Sequence, residues 1–413
     1  MTPLRRVFLT VFVMLAASPA LRAADWPQFL GPHRDGTTTE TNLSAAWPKE
    51  GPPVLWQKSV GQGFSGPVVA GGKLIAFHRV ADQEIVEALD AKSGKALWKA
   101  EYPTRYRDDF GMEEGPRATP AIAGDSVFTF GADGMLSAWK LASGDKLWSV
   151  DTRKQFNAGK GFFGPVCSPL VDGNAVLLNV GGIPGAGIVA FDRTSGRVLW
   201  KASDDEASYS SPVIATLDGK RRLLVVTREA LIAANPADGK IWWRYPWAPP
   251  MNASVSAAVP LVIGDEIFLS ASYGTGATLL RFKEAGPEKI WSKDDVLSNH
   301  YATSAHQNGF LYGFDGRQEQ GCTLRCVELK TGKIRWSESG LRAGTVMIVN
   351  DQLLVMTERG ELLRAPASPE KFKPTDRAQI LPFTVRAHPA LSDGLFYARS
   401  KDKLVCVDLR AKP

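Results

Sequence analysis

The stretch DRTSGRVLW, residues 192–200, reads as a polar turn running into a strand. Asp192 can accept hydrogen bonds from its own turn, Gly196 supplies the positive φ that branched residues resist, and Trp200 ends the phrase. Nearly the same phrase returns along the chain. LDAKSGKALW ends at Trp98, WKLASGDKLW at Trp148, NPADGKIWW at Trp243, VELKTGKIRW at Trp336, and a looser FKEAGPEKIW at Trp291. Trp56 ends GPPVLW with no turn before it. A recurring phrase of this length marks a repeat architecture.

Working outward from each turn gives the unit. Small residues and a frequent proline come first, as in SGPVVAGGKLIAF and ATPAIAGDSVFTF, with apolar residues alternating on both sides of a Gly or Asp-Gly turn, which is a hairpin pattern. A third strand follows, then the Asp-x-x-Ser/Thr-Gly turn and a fourth strand ending in tryptophan. Four antiparallel strands without helical periodicity make a propeller blade. Hairpins begin at Pro67, Pro120, Pro169, Pro212, Pro260, about Ala305, about Val346 and Pro389, spaced by about 41 to 53 residues. The predicted fold is all-β, an eight-bladed β-propeller with four antiparallel strands per blade.

The seventh unit ends in a degenerate FKPTDRAQIL, and the eighth stops at VCVDLRAKP, before any fourth strand. Residues 54–60, VLWQKSV, carry a tryptophan strand with no hairpin before it. Docked into the last blade, this N-terminal strand closes the ring, and each tryptophan becomes an apolar wedge against the next blade. The resulting division is residues 1–24 as a signal peptide, 25–53 as an N-terminal strap with Trp26 buried, and 54–413 as a single propeller domain.

The signal peptide follows from Arg5 and Arg6, an apolar run of about 11 residues and the small-residue stretch ASPALRAA. That run is well short of the ~20 residues that cross a bilayer. An exported chain, periplasmic or secreted, with no transmembrane segment is expected. Residues 1–24 hold three arginines and no acid, so the formal charge of +6 falls to +3 in the mature chain, and no nucleic-acid partner is expected. Six residues before the turn glycine stand Ala88, Ala138, Ala190 and Ala233; Cys326 and Cys406 occupy the same slot. A cysteine that alternates with alanine reads as a small core residue. Cys322 and Cys326 on one strand stand about 13 Å apart, too far for a disulfide.

The Ala-x-Asp-x-x-Thr-Gly-x-x-x-Trp phrase resembles the tryptophan-docking repeat of the eight-bladed quinoprotein alcohol dehydrogenases and of the outer-membrane-assembly propeller lipoprotein. Residues 25–36, DWPQFLGPHRDG, with GPRATP, ASYSSP, MNASVSAA, SASYGTG, LSNHYATS and GFDGRQE, are similar to phrases in a group of exported bacterial proteins with this pyrroloquinoline-quinone-like propeller. The dehydrogenase resemblance implies a quinone stacked between a tryptophan and a disulfide of adjacent cysteines, with calcium held by Glu, Asn and Asp. This chain has no Cys-Cys pair. The resemblance therefore implies a fold without that catalytic kit.

Other chemistries lack their patterns. The five histidines form no His-Glu-x-x-His and the cysteines no Cys-x-x-Cys, so no metal site is expected. The acidic pairs Asp108-Asp109, Glu113-Glu114 and Asp204-Asp205 read as solvated loop residues. GFFGP and GGIPGAG read as turns, since no helix follows to present phosphate-binding amides.

The axis remains. The residue about three before each hairpin proline should open onto one mouth of the channel, and there the sequence has Phe64, Arg117, Val166, Tyr209, Ser256, Tyr301, Arg342 and Arg386. Three arginines on one rim would form a positive funnel for a carboxylate or phosphate. Against this stands pairing of each arginine with a neighbouring-blade acid such as Glu114 or Asp315. Asn252, Tyr273, Asn299, His300, Asp315 and Arg317 complete the candidate ligand-binding set, because blade folding does not demand polar residues in those phrases. His300 beside a carboxylate suits acid–base work or a structural hydrogen bond. The expected function is an exported, noncatalytic and monomeric propeller that binds a small anionic ligand or a protein segment at its mouth, with no cofactor. A quinone-dependent oxidoreductase using pyrroloquinoline quinone is the alternative, distinguished by absorbance above ~300 nm.

Overall fold

The computed structural model describes residues 25–252 and 254–411. The expected signal peptide, residues 1–24, lies outside them. Eight sheets form the fold, seven of four strands and one of five. Blade 1 comprises Val68–Ala70, Lys73–Val80, Gln83–Asp90 and Ala96–Pro103, each antiparallel to the next. The two middle strands are buried on both faces because a blade is sandwiched between neighbours, whereas the outer strand alternates and leaves its edge to water. Inner strands start directly after a proline in six blades, at Val68, Ala121, Leu170, Val213, Leu261 and Ala390. Proline has no N–H to lose at a strand's first position.

Closure is as the sequence predicts. Val54–Ser59 pairs antiparallel with Lys403–Asp408, Trp56 opposite Cys406, and so completes blade 8. Lys58 of this strand reaches across to blade 1, 3.3 Å from Glu87, whose other oxygen meets His78 at 3.2 Å. Blade 7 has a short outer strand, Asp376–Gln379, from the degenerate segment, and gains a fifth strand, Thr37–Thr38, parallel to Gly344–Val349. One feature was not predicted. A short helix, Thr152–Phe156, follows blade 2, capped by the Asp151 carboxylate accepting from Lys154 N at 2.9 Å.

The tryptophans join the blades through a repeated contact. Indole Nε1 donates to a carbonyl of the following blade's turn: Trp56 to Ala91 (3.0 Å), Trp98 to Leu141 (2.9 Å), Trp148 to Arg193 (3.0 Å), Trp200 to Pro236 (3.2 Å) and Trp291 to Leu329 (2.9 Å). Each ring also lies on the turn glycine of that blade, so that a β-carbon on Gly94, Gly144, Gly196 or Gly239 would sit 2.4–2.6 Å from an indole atom. The alternating Ala/Cys slot is the residue cross-strand from the indole. Ala88 faces Trp98, Ala138 faces Trp148, Cys326 faces Trp336 and Cys406 faces Trp56. All four cysteines are free and buried.

The strap enters the axial channel. Trp26 is buried and exchanges backbone hydrogen bonds of 2.8 Å with Val69, on the inner strand of blade 1. Pro27 then accepts from Ile122 of blade 2, while Leu30 packs on Val213 and Val259 beside the inner strands of blades 4 and 5. The chain thus spans the axial channel from one side to the other. Arg34 fixes the crossing by donating to the carbonyls of Pro169 (3.1 Å) and Ser168 (3.2 Å). Burial lowers its pKa to about 10. The physical reason for the insertion is composition: Trp26, Phe29 and Leu30 need apolar cover, and the channel supplies it.

Candidate functional site

With the strap across the channel, the mouth above it becomes a blind pocket. Its volume is about 180 Å³, with Phe29 of the strap among its lining residues. Phe64, Met112, Phe163, Val166, Tyr209, Val255 and Ala257 give it an apolar and aromatic wall from blades 1 to 5. Tyr273, His300, Tyr301, Gln318, Glu319, Arg386 and His388 give it a polar wall from blades 5 to 8.

Of the sequence-predicted residues, Arg117, Tyr209, Tyr273, His300 and Arg386 come together on this pocket. Asn252 lies in an adjoining cavity that shares Val166 and Tyr209 with the mouth. The remaining four do not line either. Arg342 is exposed, has φ +60, and lies over the Phe383 ring at 5.7 Å. Asn299 is fully absorbed in folding: Nδ2 donates to Phe314 O (3.0 Å) and Oδ1 accepts from Ser304 (2.9 Å). Asp315 accepts from Ser298 N (2.7 Å) and pairs with Arg325 (3.0 Å). Arg317 pairs with Glu319 (3.3 Å) and covers the Tyr273 ring at 4.7 Å.

The expected funnel of three free arginines does not assemble. Arg117 contacts Asp108 at 3.4 Å, donates to Glu113 O (2.8 Å) and Phe163 O (3.1 Å), and lies over the rings of Phe64, Tyr106 and Phe163. Arg386 donates to Glu358 at 2.6 Å. Both guanidinium groups are thus neutralised within the protein, since an unpaired charge in so closed a site would be costly. Of these two acids Asp108 belongs to the pairs expected to be solvated, and others of those pairs are also drawn inward. Asp108 and Glu113 have no exposed side chain, and Asp205 is held by Arg244 at 2.7 Å.

What the pocket leaves unpaired is neutral. His300 Nδ1, His388 Nε2 and Tyr301 Oη are buried without a hydrogen-bond partner. Burial depresses the pKa of His388 to about 4, and burial with nearby Arg317 and Arg386 does the same for His300 against the opposing pull of Glu319. Tyr273 Oη meets His300 Nε2 at 3.1 Å, and Phe29 meets the His388 ring edge-on at 4.9 Å. Both imidazoles are neutral near pH 7, and each has one ring nitrogen left to share a hydrogen bond with a guest, as donor or acceptor according to its tautomer.

The family model described as outer membrane protein assembly factor BamB matches residues 81–338, more than half of this chain. The chain belongs to that family. It is 24% identical over 389 residues to the outer membrane protein assembly factor BamB of Shewanella oneidensis, covering 87% of this chain and 89% of that protein. Against the Burkholderia pseudomallei protein of the same name it is 28% identical over 171 residues, spanning 40% of that relative. It is also 28% identical over 139 residues to the quinohemoprotein alcohol dehydrogenase ADH-IIG of Pseudomonas putida, spanning 18% of that enzyme. Among solved structures, BamB from Moraxella catarrhalis superposes with TM-score 0.64 at 15% identity, covering 87% of this chain and 98% of that one. Quinohemoprotein alcohol dehydrogenase from Comamonas testosteroni gives 0.66 at 14% identity, covering 94% of this chain and 81% of that one. At these identities the structural likeness speaks for the fold.

Sequence reasoning missed a belt of hydroxyls at the throat of this BamB-family propeller. Gly66 N donates to Thr119 Oγ1 (3.2 Å), Thr119 N to Ser168 Oγ (2.9 Å) and Ser168 N to Ser211 Oγ (2.8 Å), so the inner turns of blades 1 to 4 are tied in series. Val259 N donates to Thr303 Oγ1 at 3.1 Å on the far side. The signal was the hydroxyl residue directly before the hairpin proline, in ATP, CSP and SSP. His388 occupies that same slot in blade 8 and leaves its Nε2 unpaired.

Proposed function

We propose that this chain is an exported, noncatalytic scaffold that holds a segment of a partner protein at its mouth, with one apolar or aromatic side chain of that segment inserted above Phe29. The observation that carries this reading is the combination of an aromatic wall with guanidinium groups already neutralised by Asp108 and Glu358. Apolar burial is the main source of affinity in such a pocket, and the unpaired ring nitrogens add orientation. Membership of a family of outer membrane protein assembly factors supports a protein partner and an exported location. An anionic ligand, the other guest expected from the sequence, would have to displace an internal carboxylate from Arg117 or Arg386.

The quinone reading meets a poorer fit. No tryptophan and no cysteine lines the mouth pocket, so the tryptophan and the adjacent-cysteine disulfide of a quinone sandwich are not among its walls. No group of three or more His, Cys, Asp or Glu among the described residues suits a metal ion. Pyrroloquinoline quinone carries three carboxylates, for which this donor set has no free cation.

Saturation-transfer NMR with N-acetyl-phenylalaninamide and N-acetyl-leucinamide tests the proposal. Signal transfer to either side chain that disappears in Ala257→Trp, which fills the pocket, supports it. Stoichiometric binding of pyrroloquinoline quinone with new absorbance above ~300 nm would replace it with the oxidoreductase reading.

A further inference from the structure

A second cavity, larger than the mouth pocket, plays no part in that proposal. It lies between blades 3 and 4, adjoins the mouth across Tyr209, and measures about 720 Å³. That is within the ~300–1,000 Å³ typical of small-molecule sites. Its walls include residues of the two glycine-rich segments read as turns, GFFGP (161–165) and GGIPGAG (181–187), with Asn157, Gly159 and Lys160 before the first, and residues 206–209, 228 and 229 of blade 4 and its entry.

The chemistry of these walls is polar but internally balanced. Lys160 pairs with Asp109 (2.5 Å), Arg228 with Glu206 (3.4 Å) and Glu229 with Arg244 (3.2 Å), while Asp204 accepts from Gly185 N. An ionic guest would find each of these charges already engaged. A hydroxyl suits such a surface, because it donates to a paired carboxylate and accepts from a paired cation without separating them.

Two further observations point to a guest. Asn179 is buried, its Nδ2 donates to Val226 O at 3.0 Å, and its Oδ1 has no partner. An amide oxygen stranded in a polar cavity is an acceptor waiting for a donor. Gly159 lacks any atom within 4 Å of where its β-carbon would stand, so the backbone there is open to close approach, and Phe162 beside it offers an aromatic face. An aromatic face flanked by amides, carboxylates and bare backbone matches the two sides of a sugar ring, apolar C–H on one and hydroxyls around the edge.

We infer that the cavity between blades 3 and 4 is a binding site for a neutral saccharide, with a sugar ring on Phe162 and a hydroxyl donating to Asn179 Oδ1. The cavity shares Val166 and Tyr209 with the mouth pocket, but the two proposed contacts, Phe162 and Asn179, do not line the mouth. Gly159→Trp is the blocking variant: Gly159 does not have a left-handed φ and its β-carbon meets nothing, so the side chain fills the cavity without disturbing the blades.

The test is NMR titration of the mature chain with cellobiose, maltose and N,N′-diacetylchitobiose, each to about 20 mM, a range that detects the weak affinities of small polar ligands. The expected result is saturable perturbation of the Phe162 and Gly181 amides by at least one disaccharide. Gly159→Trp and Asn179→Leu, each confirmed folded by an unchanged amide spectrum elsewhere, should weaken it about tenfold or more, as loss of one hydrogen-bonded contact or of the space itself requires. The inference is overturned if no disaccharide perturbs these amides, if Gly159→Trp binds as well as the parent, or if only glucuronate, spermidine or trialanine produces the perturbation. Loss of amino-acid-amide binding at the mouth with retained disaccharide binding would sink the scaffold proposal and leave this one standing.

Discussion

The indole of Trp98 lies directly on Gly144 of the following blade: a β-carbon there would stand 2.5 Å from Cε3, and Nε1 donates to Leu141 O at 2.9 Å. The turn glycine therefore answers two demands, a left-handed φ of +76 and room for the preceding tryptophan. Gly144→Ala should cost about 3 kcal/mol or more, since strain and overpacking add, whereas Gly173→Ala, also left-handed but with open space, should cost about 1 kcal/mol. Urea denaturation of both variants checks this. Equal losses would mean that the indole contact contributes nothing.

Trp243 is the exception that tests the rule. Its Nε1 is buried without a partner, because the next blade's looser KEAGPEK turn does not bring a carbonyl to it, and Gly286 of that turn meets no neighbour. Replacement by phenylalanine should therefore be milder at Trp243 than at Trp98 by about 1 kcal/mol, the net worth of the hydrogen bond that only Trp98 loses. A larger loss at Trp243 would contradict the docking account.

The strap should depend on Arg34. Arg34→Met keeps much of the apolar stem but leaves the Ser168 and Pro169 carbonyls without their donor, a cost of about 2 kcal/mol or more. Limited proteolysis should then cut within residues 36–53 before the blades unfold. A variant as protected as the parent would show that the apolar plug of Trp26 and Leu30 suffices.

Two buried groups should give pH dependences of opposite sign. His388, held near pKa 4 from an ordinary 6.5, contributes stability that is present above pH 6.5 and lost as pH falls toward 4. Glu40 of the strap, raised by burial to about 7 from 4.5, contributes stability that is present below pH 4.5 and lost as pH rises through 7. Relative to the parent, His388→Gln should gain on acidification and Glu40→Gln should gain on alkalinisation. Denaturation midpoints at pH 4.5, 6 and 8 for both variants check the two signs.

The ring itself was legible from the turn phrase, because each blade must repeat the same glycine, small cross-strand residue and tryptophan to dock on the next. The closing strand was legible for the same reason: Trp56 lacked a hairpin and blade 8 lacked a tryptophan. The mouth was legible in position, since Phe64, Arg117, Tyr209, Tyr301 and Arg386 line it as their spacing before the proline implied. Its electrostatics were not. Asp108 and Glu358 lie 9 and 28 residues from the arginines they neutralise, and nothing in a loop sequence says which acid folds inward. The blind channel was hidden too, because an irregular, proline- and glycine-rich strap has no periodicity to say whether Phe29 and Leu30 lie on a face or in the axis.

The central claim is that the mouth pocket above Phe29 receives a side chain of a partner protein, and site-specific photocrosslinking tests it most directly. A benzophenone side chain at Met112, half exposed on the pocket rim, should give one discrete crosslinked protein in the producing cells. That adduct should be lost when Ala257→Trp fills the pocket and kept when the remote outer-strand residue Leu147 is changed to Ser. An adduct that persists with the pocket filled, or no adduct beyond background, would contradict the account.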